Sequence, residues 1–186
     1  SSKTKRKYIM ANVRQYNNFV TASDVITQSF TNQATDQSLI SAEIITIAEL
    51  AHIKPYLGLD MYEELKTQNH NDTLTSANSE LLNFYIKPAL CWYVRFEVMN
   101  EIQYNTTSAG LVLNTSDFSS PANVEQFNQM KSDTFRKAQV LSDDMIAFIT
   151  HEDQQGNYPL YGMDGDSSMP DADGDVATKM NGIIFY

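Results

Sequence analysis

From residue 40 onward, apolar positions recur at helical spacing. Ile40, Ile44, Ile47 and Ala51 follow one another on a single stripe, with Ala48 and Leu50 beside it, and predict an amphipathic helix over residues 41–53. Ser41 suits its N-cap. Pro55 is expected to end it, because the residue before a proline is pushed out of the α region. Gly58 then offers a turn, residues 59–65 read as a short second helix, and the polar run 67–79 reads as a loop. Residues 80–104 are apolar nearly all round (Leu81, Leu82, Phe84, Tyr85, Ile86, then Ala89 through Val94), which predicts a central helix buried on every face. Pro88 lies inside it and crowds the carbonyl of Phe84, so either a kink or a break at Lys87 is expected. Residues 106–120 are polar and β-branched around Gly110, as in an extended loop or β-hairpin. Ser120 and Pro121 suit the N-cap and first position of a further helix. Val124, Phe127, Met130, Phe135, Ala138, Leu141, Met145 and Phe148 carry it to about Thr150, with Gly156 placed to close it in a left-handed conformation.

The two ends differ from this middle. Residues 1–40 read as an arm laid partly on the body, with a segment at 24–30 that periodicity leaves open between helix and strand. Residues 156–186 read as an extended acidic arm: an apolar knot at Tyr158, Leu160 and Tyr161, an Asp- and Gly-rich stretch, then Ile183, Ile184, Phe185 and Tyr186. The expected fold class is mainly α, a small helical bundle around a central buried helix, with the loop or hairpin at 105–120 and extended N- and C-terminal arms. The helical core is placed at residues 41–155.

Composition narrows this picture. At 186 residues the chain is of single-domain size, and 42 % hydrophobic content excludes global disorder. One cysteine cannot build a disulfide scaffold or a thiolate zinc site. The net charge of −10 is unevenly spread. Residues 1–14 hold five bases and no acid; residues 15–150 hold seven bases against 16 acids; residues 151–186 hold one against seven. A body this acidic is a poor general binder of nucleic acid. No stretch approaches the ~20 apolar residues of a membrane span, so no membrane partner is expected. The basic start lacks the apolar run of a secretory signal, and synthesis in a reducing cytoplasm is expected.

Little in the chain suggests catalysis, and neither an enzyme nor a cofactor is expected. The alternating Asp171, Asp173 and Asp175 are the residues a hard cation would take, but the glycine and glutamate of an EF-hand loop are missing at the required positions. A solvated acidic linker is the plainer reading. Gly165-Asp166-Ser167 echoes a serine-protease nucleophile without the glycine its oxyanion hole needs. His52, His70 and His151 are too far apart for a metal motif and read as structural or solvated, and Cys91 beside Trp92 reads as a small core residue. Glu63–Glu64 and Asp143–Asp144 are neighbours in sequence and so face different ways on a helix. The stretches Ile53-Lys54-Pro55-Tyr56-Leu57 and Ile86-Lys87-Pro88-Ala89-Leu90 share I-K-P-x-L, but their flanks differ and two copies make no repeat array.

The segment Ala48-Glu49-x-x-His52-Ile53-Lys54-Pro55-Tyr56-Leu57-Gly58-Leu59-x-Met61-Tyr62-x-x-Leu65 resembles the start of head–tail connector (adaptor, or head-completion) proteins of tailed bacteriophages. The order that follows, a long buried helix, an extended loop and an amphipathic helix, is also similar to that family. Ile86-Lys87-Pro88-Ala89-Leu90 with Tyr93 and Arg95 is similar to versions in crAss-like phages. The resemblance covers residues 41–150.

It implies a structural virion protein, made in the host bacterial cytoplasm, that forms a ring of about twelve subunits at the head–tail junction. Its partners would be other copies of itself, the portal protein and the neighbouring tail or ring proteins. DNA would pass through the acidic lumen without sequence-specific binding. Ring contacts are heterologous and need two different surfaces on each subunit. The expected contact groups are Ile183, Ile184, Phe185 and Tyr186 with Tyr158 and Tyr161; Leu111, Val112 and Leu113 in the loop; and the basic tip Lys3, Lys5, Arg6 and Lys7. The alternatives are a helical interaction adaptor outside a virion, or a calcium-binding regulatory domain.

Overall fold

A computed structural model describes residues 15–30, 36–104 and 124–161. The described chain is mainly helical, and no strand occurs among the described residues. The order is α1 (Ala22–Ser29), α2 (Ala42–Ala48), a π-helical segment (Glu49–Ile53), α3 (Lys54–Leu57), α4 (Leu59–His70), α5 (Ser76–Glu80), a second π-helical segment (Leu81–Ile86), α6 (Lys87–Tyr104) and α7 (Val124–Asp153). The expected loop or hairpin at 105–120, the basic tip and the residues after Tyr161 lie outside the described residues.

Helix α6 is the centre. Ala89, Leu90, Cys91, Tyr93, Val94, Val98 and Met99 are buried along it, with α7, α1 and α2 packed around them. Helix α7 supplies a stripe of Phe127, Thr134, Ala138, Ser142, Met145 and Ile149. It ends in a Schellman turn: Asn157 N–H donates to the Glu152 carbonyl at 3.1 Å, Gly156 N–H donates to the Asp153 carbonyl at 2.7 Å, and Gly156 takes φ +80°. The open segment at 24–30 is helix. Thr21 and Asp24 form a reciprocal capping box at the start of α1, and Val25, Ile26 and Phe30 enter the core. Residues 15–30 lie on the body, and Phe19 and Val20 are buried as well.

Four expectations need correction. First, Pro55 does not end the helix; it lies at the start of α3, and the chain stays helical until Gly58 turns it at φ +78°. Second, the helix expected over 59–65 runs on to His70, and Thr75 caps a new one by accepting from Asn78 N–H. The expected long loop shrinks to residues 71–75. Third, the inward stripe of the first helix is not Ile40, Ile44, Ile47 and Ala51. Ile45, Ala48, Glu49, His52 and Ile53 are buried, Ile40 is buried ahead of them, and Ile47 is 53 % exposed. Fourth, residues 76–104 form one continuous helical path, and it is not buried on every face: Phe84 is 74 % exposed.

Both prolines share one cause. In each I-K-P stretch the lysine N–H reaches back five residues, Lys54 to the Glu49 carbonyl and Lys87 to the Leu82 carbonyl. A π turn holds one more residue than an α turn, so one carbonyl is skipped. The proline that follows has no N–H to offer and would crowd the carbonyl four residues back in a regular α-helix. The wider turn removes that conflict, and the helix passes through the proline. The sequence echo is thus a repeated local device.

Candidate functional site

Polar side chains enter the core at three places. The first is built on Glu49, whose carboxylate meets α4 and the backbone ahead of α1. Glu49 is fully buried and its carboxylate accepts three bonds: from Phe19 N–H at 2.7 Å, from the Tyr62 hydroxyl at 3.2 Å and from Lys66 Nζ at 2.8 Å. Lys66, 1 % exposed, also donates to the Asn17 carbonyl at 2.8 Å and lies 4.8 Å from the centre of the Phe19 ring. The ion pair is closed off from solvent, and its remaining bonding capacity fastens residues 17–19 onto α4. A buried pair with this many additional bonds fixes geometry more than it adds stability.

The second place is centred on His52, three residues further along the same π segment. Its ring stacks on Tyr93 at 4.2 Å and meets Phe135 and Phe96 edge-on. Its Nε2 lies 2.8 Å from Glu97 Oε1. Below it, Ser142 Oγ is 3.1 Å from both the Tyr93 hydroxyl and the Ala138 carbonyl, which links α6 to α7. Burial pushes the Tyr56 and Tyr93 hydroxyls above the ordinary tyrosine range.

The third is Arg95 on α6. It donates to the Ser29 carbonyl at the end of α1 and lies over the rings of Phe30, at 4.8 Å, and Trp92, at 5.5 Å. A cation on a helix C-terminal carbonyl is favoured by the helix dipole, so Arg95 both caps and docks α1.

Sequence reasoning placed the histidines and the cysteine in structural roles, and these are their surroundings. His70 is the last residue of α4, not a loop residue, and stacks on Tyr16 at 4.4 Å. His151 is exposed near the end of α7. Cys91 is buried and its thiol is pushed up to about 12, chiefly by burial. Among the described residues, no three His, Cys, Asp or Glu side chains come together as a metal site. Asp171, Asp173 and Asp175 lie outside the described residues, as do Lys3, Lys5, Arg6, Lys7, Leu111, Val112, Leu113, Ile183, Ile184, Phe185 and Tyr186.

Two expected contact residues are described. Tyr158 is 4 % exposed: its hydroxyl donates to the Ala77 carbonyl at 2.9 Å and its ring meets Phe148 edge-on. The Schellman turn folds the chain back onto α5 and α7, which is where Tyr158 docks. Tyr161 is half-buried and packs on the same core. Sequence reasoning gave no role to Glu49, Lys66, Glu97 or Arg95. Glu49 and Lys66 stand seventeen residues apart on two helices, so no local spacing signals their pairing.

The fold and its fasteners define a mainly α-helical bundle in which the described polar groups of the core serve as joints. The chain belongs to a family of unknown function, DUF6712, whose sequence model matches residues 53–167. No curated protein and no solved structure matches the chain. No helix among the described residues is long and apolar enough to cross a membrane.

Proposed function

We propose that the chain is a structural subunit of a tailed-phage virion, forming a ring that joins the capsid portal to the tail and lets DNA pass through its channel. The observation that carries this reading is the order of elements after the Ala48–Leu65 motif. A helix ending in Tyr-Leu-Gly, a pivot at Gly58, a long central helix and a long amphipathic helix follow in the sequence expected of head–tail connectors. The buried joints support it, because a subunit of a load-bearing ring needs a body whose helices keep fixed relative positions. The acidic charge of the chain supports a lumen that DNA crosses without sticking.

The test is assembly. The purified full chain, alone and with a portal protein, is examined by native mass spectrometry and by particle images. A closed ring of about twelve copies is the expected result, since heterologous contacts close when the rotation per subunit divides the circle. A monomer that neither self-assembles at high concentration nor binds a portal overturns the proposal.

A further inference from the structure

Between α6 and the first half of α7 the bundle leaves an open groove of about 300 Å³. Trp92 and Arg95 form one wall; Met130, Asp133, Thr134 and Lys137 form the other. Its charge runs against that of the molecule. Lys137 Nζ lies 4.7 Å from the Trp92 ring centre, and Lys131 Nζ lies 5.5 Å from that of Phe96 on the adjoining surface. Asp133 faces Arg136 at 3.8 Å, and no ion pair joins Lys131 or Lys137 to a described carboxylate. Aromatic rings carrying ammonium groups, in a chain of net charge −10, suit an acidic peptide segment.

We propose that this groove holds the chain's own Asp-rich segment, with Asp171, Asp173 and Asp175 facing Lys137 and Lys131. Alternate residues of an extended chain point to one side, so this spacing would put the three carboxylates on a single edge if the docked segment is extended. The reach is sufficient. Tyr158 anchors the chain beside Phe148, eleven residues along α7 from Lys137, which is about 16 Å of helix. The ten residues from Tyr161 to Asp171 span up to about 33 Å when extended. A tether this short presents the segment at roughly millimolar effective concentration, which favours docking within one chain over docking on a second copy. The inference goes beyond the ring reading and does not depend on it.

Trp92 is the sole tryptophan, so its fluorescence reads the groove directly. The experiment compares the full chain with the Asp171→Asn/Asp173→Asn/Asp175→Asn variant and with Lys137→Glu, using acrylamide quenching and emission wavelength, with helix content checked by circular dichroism. Both variants should lose protection from quencher and shift the emission to longer wavelength without losing helix. The unaltered chain should show the same loss between about 0.1 M and 1 M salt, where the Debye length falls from roughly 10 Å to 3 Å. Lys137→Glu combined with Asp171→Lys and Asp173→Lys should restore protection. Protection that survives the Asp→Asn substitutions and ignores salt gives the groove to another occupant, such as residues 105–123, and overturns the proposal. Protection that appears only as the chain self-associates, followed by sedimentation, assigns the segment to a second copy and overturns it equally.

Discussion

Glu49 ties together residues that lie far apart in sequence. Its carboxylate is fully buried and accepts from Phe19, Tyr62 and Lys66. Lys66→Met leaves that charge without its counter-ion and should cost about 3–5 kcal/mol in urea unfolding. Adding Glu49→Leu removes the stranded charge and should recover part of the loss. It should not recover all of it, because the buried Phe19 N–H then loses its Glu49 acceptor. A double variant no more stable than Lys66→Met alone would contradict a stranded charge as the source of the loss. This residue was also the hardest to read from sequence. Hydropathy places a glutamate and a histidine on the solvent side of an amphipathic helix and an isoleucine on the core side. Here Glu49 and His52 face inward and Ile47 outward, because partners from distant elements pair the Glu49 carboxylate and His52 Nε2. Nothing in residues 41–53 encodes those partners.

At the scale of elements, the two I-K-P stretches act alike although their flanks differ. Each proline follows a π turn that has already skipped one carbonyl. A proline forced into a regular helix interior costs about 3 kcal/mol or more, and replacing it would return that energy. Because the conflict is relieved in both places, Pro55→Ala and Pro88→Ala should each change unfolding stability by less than about 1 kcal/mol, a size set by residual propensity and unfolded-state effects. A gain of about 3 kcal/mol from either would mean that the ring is strained where it stands. Helix identities were legible: α6 from its nearly unbroken apolar run, and α7 from its stripe and from Gly156. Helix ends near Pro55 were not, since the rule that proline stops a helix assumes α-helical hydrogen bonding. A reader of sequence sees the proline; the five-residue bond that accommodates it is a tertiary choice.

For the molecule as a whole, the buried hydroxyls and the thiol set a limit at high pH. Tyr158 is pushed up to about 12 from an ordinary 10.0, first by burial and then by Glu80 and Glu152, and Cys91 to about 12 from 9.0, first by burial. Tyr56 and Tyr93 are raised as well. Above the ordinary values the unfolded chain releases protons that the folded chain still holds, so unfolding gains as pH rises. The stability these groups contribute is complete below pH 9.0 and falls progressively toward about pH 12. Urea midpoints measured from neutral to strongly alkaline pH should decline over that window, with tyrosinate absorbance rising together with unfolding. Buried tyrosines that ionise near 10.0 while the chain stays folded would contradict this. The mainly α architecture was legible at this scale because helix order follows local pattern. The bonds that fasten residues 15–30 to the body were not, since they are made by Arg95 and Glu49 reaching to backbone far away in sequence.

The seat that Glu49 and Lys66 make for residues 17–19 has a mechanical consequence. Two charge-assisted bonds, to Phe19 N–H and the Asn17 carbonyl, grip the backbone just ahead of α1. Tension applied to the backbone at Asn17 is met by these bonds before it reaches α1, so the bundle can hold its shape while that segment bears a load.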